Sequence, residues 1–204
     1  MTDNPAIELH ELKFTVEKSV RYNARREDHY RFLDSSIKIA IVAIGGAWFV
    51  DFYTAYVGHH GILAASSGAL GVLSLFLDYP SRIAKHATTG RLFNDLLASI
   101  KLTKNPSDAQ IRKWDVRRDE IDQEEPSMYR ALEAFCDNEV NVAYGLHNNN
   151  GLVPLTWWQR RTMNLFKFGN TQFPDRVLST CLASEAAKVS GALEKARRFP
   201  LYRR

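Results

Sequence analysis

Apolar and polar positions sort this chain into stretches of two kinds. Residues 6–34 mix the two at helical spacing: Leu9, Leu12 and Val16 recur at intervals of three and four, and Tyr22, Arg26 and Tyr30 at four. Residues 35–80 are almost continuously apolar, and between Lys38 and Asp78 the single formally charged residue is Asp51. Beyond Pro80 the helical mixture returns. Ile83, Phe93, Leu96, Leu97 and Ile100 mark one side of a helix with Gly90 in its middle. Ser107 and Gln110 have the spacing of a capping box, and Ile111, Trp114, Arg118 and Ile121 trace one face of the charged helix they open; Pro126 ends it. Met128, Ala131, Leu132, Phe135, Glu139 and Val142 form the expected inner side of the next helix, with Gly145 as its C-terminal cap. Thr156 and Gln159 repeat the capping-box spacing before "WWQRRTMNLFKF", and Val177, Leu178, Cys181, Leu182, Ala186, Val189 and Leu193 give a terminal helix its apolar side. No run alternates as a strand does, so the fold class expected is all-α.

The apolar stretch has the length and chemistry of a membrane hairpin. A helix needs about 20 residues to cross a hydrocarbon core about 30 Å thick. Ile37–Val57 has 21 residues and Gly61–Leu77 has 17. Gly45, Gly46, Ala47, Gly68, Ala69 and Gly71 permit close helix approach in a bilayer, whereas a soluble helix loses about 1 kcal/mol at each glycine. Trp48, Tyr53, Tyr56 and Tyr79 gather toward segment ends, as interfacial aromatics do, and "VGHHG" at 57–61 makes a short turn. Lys38 can snorkel back to the surface. Asp51 either faces a partner helix or a water path, or takes the neutral acid form, or lies beyond a shorter span of residues 34–50. Arg21, Arg25, Arg26, Arg31 and Lys38 precede the hairpin and Arg82, Lys85 and Arg91 follow it, while the turn has no Lys or Arg. By the positive-inside rule both termini are then cytoplasmic. The expected organisation is an N-terminal amphipathic helix at 1–36, a transmembrane hairpin at 37–79, a cytoplasmic helical region at 80–145 and a C-terminal helical extension at 146–204.

Composition adds little to this picture. The net charge of +4 is modest and does not call for nucleic acid as a partner. Cys136 and Cys181 sit in helical patterns outside any CxxC motif, and the opening "MTDNPAIELHELKF" has no apolar signal-peptide core. Phosphate-binding loops, nucleotide-binding glycine motifs, zinc-protease and serine-hydrolase signatures are all missing, so neither an enzyme nor a cofactor is expected. His59 and His60 supply at most two metal ligands, so they read as a polar turn. Asp115 with Asp119, and Glu120 with Glu124, stand one helical turn apart among Lys113, Arg117 and Arg118, which favours surface ion pairs over a metal site. Asp51, Thr54, Ser66 and Ser67 are the polar positions available to line or join membrane helices. Arg21, Arg25 and Arg26 are placed to meet phosphate of lipid headgroups, and Asn138, Glu139 and Asn141 to form inter-helix or ligand contacts. Trp157, Trp158 and Phe166 beside arginines fit either an interfacial anchor or a helix packed on the bundle.

"VRYNARREDHYRFLDSS" before a two-span hairpin, "LDYPSRIAKHATTGRLFNDLLASI" directly after it, and then "WDVRRDEIDQEEPSMYRALEAFCDNEV" resemble the SLATT proteins over residues 10–145. These are bacterial two-helix membrane effector domains associated with nucleotide-signalling defence modules. The resemblance implies a protein of the inner membrane that forms homo-oligomers, with the lipid bilayer and a nucleotide-sensing or signalling protein as partners. It also implies that the assembly forms a pore or perturbs the membrane when triggered. A non-lytic scaffold assembling partners through its cytoplasmic helices is the other expectation. Residues 146–204 fall outside the resemblance.

Overall fold

A computed structural model describes residues 5–54, 60–124, 128–145 and 152–169, with Thr171 and Phe173; the side chains of 45–54, 60–65 and 67 lie outside the description. The described chain is helical, without a strand. Its helices are α1 (Pro5–Thr54), α2 (His60–Leu77), α3 (Tyr79–Leu102), α4 (Asp108–Gln123), α5 (Arg130–Ala143) and α6 (Trp157–Thr162). The turn expected at 57–61 falls largely, and the terminal helix from Val177 wholly, outside the described residues.

The amphipathic segment and the first apolar segment are one helix. α1 has 50 residues, about 75 Å at about 1.5 Å per residue. Pro5 opens it, where a missing N–H costs nothing, and Glu8 lies near the positive end of its dipole. Glu27–Arg31 and Asp34–Lys38 pair at 2.6 Å, each with the acid one turn before the base, the favourable order. Lys38 thus reaches back toward the polar half of α1.

Two units divide the chain, and the division falls inside α1. One comprises residues 15–126; the other comprises the chain through Phe14 together with residues 127–204. In the first, α3 runs back along α1: Glu17 meets Lys101 at 2.7 Å, Asn23 meets His86 at 2.8 Å, and the rings of Tyr30 and Tyr79 lie 6.2 Å apart. Rising numbers on α1 face falling numbers on α3, so the pair is antiparallel. Val16, Phe93, Leu96, Leu97 and Ile100 are buried with Ile111, Trp114 and Ile121 of α4. Ser107 caps α4 by accepting from the Gln110 N–H. Gly90 sits where α1 comes close: a Cβ there would stand 3.4 Å from the Cβ of Asn23. Between α2 and α3 the backbone breaks at Asp78, which takes a left-handed conformation (φ 43°), and Pro80 restarts the helix. An aspartate is among the few residues that enter this region readily.

In the other unit, α5 buries Ala131, Leu132, Ala134, Cys136, Asp137, Val140 and Asn141. The side expected from the spacing was Met128, Ala131, Leu132, Phe135, Glu139 and Val142, yet Phe135 and Glu139 are half-buried and Val142 is exposed. The helix is turned by about one residue because the polar atoms of Asp137 and Asn141 are taken inside. Gly145 closes α5 with φ 87°, its N–H donating to the Val142 carbonyl. Thr156 and Gln159 form the complete capping box of α6.

Candidate functional site

The unit of residues 15–126 changes character along its length, and the change centres on a set of buried polar side chains. On α1 the buried residues Val16, Ser19, Asn23, Arg26 and Tyr30 follow intervals of three and four. On α3 the buried residues Tyr79, His86, Thr89, Phe93, Leu96 and Ile100 do the same after one interval of seven. These are the inner stripes of two packed helices. Both stripes are apolar at the end nearer Val16 and Ile100, then turn polar and aromatic toward Tyr30 and Tyr79.

The polar contacts interlock. The Asn23 amide donates to the Ser19 carbonyl at 3.1 Å, which orients its Oδ1 as acceptor for His86 Nδ1 at 2.8 Å. His86 therefore carries its proton on Nδ1. Burial first, and then the positive field of Arg26, hold its pKa down at about 4, with Lys85 and Arg82 adding to the effect, so it is neutral at pH 7. Burial and Arg26 also lower the pKa of His29. Arg26 is itself 2% exposed. Its guanidinium donates to the Tyr30 hydroxyl, with its carbon 4.5 Å from the centre of that ring. The Arg82 guanidinium lies 5.8 Å from the same ring, His86 stacks on it at 5.7 Å, and Tyr79 tilts against it at 6.2 Å. Tyr30 is thus the hub of a neck holding two cations near its π-face.

Above this neck the helices are inside out. Ile39 and Val42 on α1 are 68% and 73% exposed, and Leu75 and Phe76 on α2 are 81% and 83% exposed. Phe32, Val72 and Leu73 are exposed with them. Among the described residues no helix is long and apolar enough to cross a membrane. Described side chains stop at Ile44 on α1 and resume at Ser66 on α2. About half of the expected hairpin thus has no described side chains. Ser66 is half-buried; the side chains of Asp51, Thr54 and Ser67 are outside the description.

The remaining expected site residues separate. Arg21 and Arg25 are half-buried on α1. Arg26, expected at a headgroup, instead points into the neck, because its position continues the inner stripe that Val16 begins. Asn138 spends its amide on the backbone of Val153, donating at 2.8 Å and accepting at 2.7 Å, and so pins the segment leading to α6. Asn141 is buried at 1% exposure, and Glu139, on the same helix, is half-buried. Asp115 and Asp119 pair with Arg118 at 2.8 and 2.6 Å, as surface charges on a helix do. No metal-holding group of three or more His, Cys, Asp or Glu occurs among the described residues. A groove of about 650 Å³ between α3 and α4 is floored by Leu92, Leu96 and Trp114 and edged by Arg112, Lys113 and Arg117.

Sequence reasoning missed Asn23, His86 and Tyr30 as a set. The signal was present: the stripe of Leu12 and Val16 continues at the same intervals through Ser19, Asn23, Arg26 and Tyr30. The spacing of four that joins Tyr22, Arg26 and Tyr30 leaves out Ser19 and Asn23. No protein-family model, curated protein or solved structure matches the chain.

Proposed function

We propose that this protein is an oligomeric effector of the bacterial inner membrane, one that forms a pore or perturbs the bilayer when triggered as part of a defence system. The observation that carries the reading is the outward display of Ile39, Val42, Val72, Leu73, Leu75 and Phe76 directly above a well-packed polar neck. Left in water, six such side chains forgo on the order of 10 kcal/mol of burial. Lipid tails, or the arms of neighbouring copies, recover it. The antiparallel α1–α3 pair supports the orientation, since it brings Glu17 and Lys101 together at one end and leaves both apolar arms at the other. With Arg21, Arg25 and Arg82 on that polar side, both termini are cytoplasmic. One hairpin cannot enclose water, so pore formation requires several copies, with Asp51, Thr54, Ser66 and Ser67 as the polar positions available to the assembly.

The α3–α4 groove favours a second reading, a non-lytic scaffold whose cytoplasmic helices gather partners. One experiment separates the two. Expressing cells are fractionated, and protein from the membrane fraction is reconstituted into dye-loaded vesicles. Membrane retention with dye release is the expected result. Retention without release under every trigger tried favours the scaffold, and recovery in the soluble fraction sinks both.

A further inference from the structure

The C-terminal unit carries an apolar surface that the hairpin reading does not use. Trp157 and Trp158 are 72% and 62% exposed, and Leu165 and Phe166 are 58% and 59% exposed. The display is held rigidly. The two indoles stack at 5.5 Å, a full capping box starts α6, and Thr162 and Met163 are buried beneath it. The N–H groups of Leu165 and Phe166 both donate to the Thr162 carbonyl, and the Lys167 carbonyl accepts from the Arg130 N–H. Phe168 then turns the chain in a left-handed conformation (φ 49°), with its ring edge-on to Phe166 at 6.2 Å. A bulky residue seldom adopts this geometry.

Charge decides what fits this surface. Arg160 and Arg161 form the last turn of α6, and both are exposed. From Val140 to Pro174 the chain contains no Asp or Glu, while it holds Arg160 and Arg161. Among the described residues neither Arg160 nor Arg161 is paired with a carboxylate, and a second copy presenting the same face would oppose cation to cation. Rigid indoles beside uncompensated arginines match a surface that is anionic outside and apolar just beneath. We infer that Trp157, Trp158, Leu165 and Phe166, flanked by Arg160 and Arg161, form a second membrane contact that lies in the headgroup layer of anionic lipid, separate from the hairpin.

Full-length Trp48→Phe/Trp114→Phe protein leaves emission from the 157–158 pair alone. It is placed in bilayers of bromine-labelled phosphatidylcholine, with or without phosphatidylglycerol. Quenching is expected with phosphatidylglycerol and is several-fold weaker without it. Adding Arg160→Gln/Arg161→Gln lowers the ratio of docked to undocked protein by about 30-fold, two basic groups' worth of attraction. A companion chain, Trp114→Phe/Trp157→Phe/Trp158→Phe, reports on Trp48 in the hairpin. If Trp48 is quenched while the pair is not, the second contact is refuted and the hairpin reading stands. If the pair is quenched while Trp48 is not, the second contact stands and the hairpin reading fails. Equal quenching of the pair in both lipid mixtures overturns the assignment to anionic headgroups.

Discussion

The two halves of α1 obey opposite rules within one unbroken helix. From Val16 to Tyr30 the inner stripe is buried and polar groups face outward or pair. Above it, Ile39 and Val42 are large apolar side chains that stand exposed. Backbone geometry is the same in both halves, so the difference lies in what surrounds the helix. The lower half is covered by α3. The described upper part, to Ile44, has no such cover at Ile39 and Val42, and α2 likewise exposes Val72, Leu73, Leu75 and Phe76. A helix covered by its own chain needs one apolar stripe, whereas a helix covered by lipid is apolar outward and places small or polar groups inward.

The most forceful way to break this comparison is to put charge on the upper half. Val42→Arg with Val72→Arg is expected to cost up to about 3 kcal/mol at each position in a bilayer and to empty the membrane fraction. Val116→Arg, at a comparably exposed apolar position on α4, is the control and should leave the distribution unchanged. Equal retention of all three chains would remove the basis for treating the halves differently.

Next in size is truncation within the lower core. Phe93 is fully buried, so Phe93→Ala should destabilise the detergent-solubilised protein by about 3–5 kcal/mol in thermal unfolding. Leu75→Ala, at 81% exposure, should change the same measurement by less than about 0.5 kcal/mol.

The neck between the halves should respond to pH. Native His86 stays neutral down to about 4, while the unfolded imidazole takes up its proton near 6.5. Across that interval the unfolded state binds more protons, so stability is fully present above it and declines as pH falls. His86→Gln can still meet Asn23 and should flatten the slope of melting temperature against pH; His29, shifted the same way, leaves a smaller slope behind. An unchanged slope in the variant would mean that His86 is not held neutral by the neck. Smallest of all, Lys101→Met removes a partly exposed pair with Glu17 and should cost at most about 1 kcal/mol, with the loss fading as salt is raised.

Much of this was legible along the chain. Helix starts were, because caps act locally: Ser107 and Thr156 bond to backbone atoms three residues away. Gly145 was legible because a positive φ at a helix end selects glycine. The inner side of α5 was misjudged because residue type alone leaves Asp137 off it, and only the packed unit reveals that Asp137 is buried beside Asn141, which was expected at an inter-helix or ligand contact. Gly90 looked like a weak point in a helix; that a Cβ there would stand 3.4 Å from the Cβ of Asn23, 67 positions earlier, is set by how α1 and α3 pack.

The sequence by itself determined the helical class, the ends of most helices and the abrupt passage from mixed to apolar composition near Ile37. Those properties follow from local bonding and from the spacing of side chains along one helix. The tertiary structure decided that α3 returns along α1 and that Arg26 turns inward to Tyr30. It also joined Asn23 and His86 into one neck and fixed Asn138 to Val153. Each of these joins residues through a contact whose geometry depends on how helices or segments pack, and no local rule of spacing or capping specifies that packing.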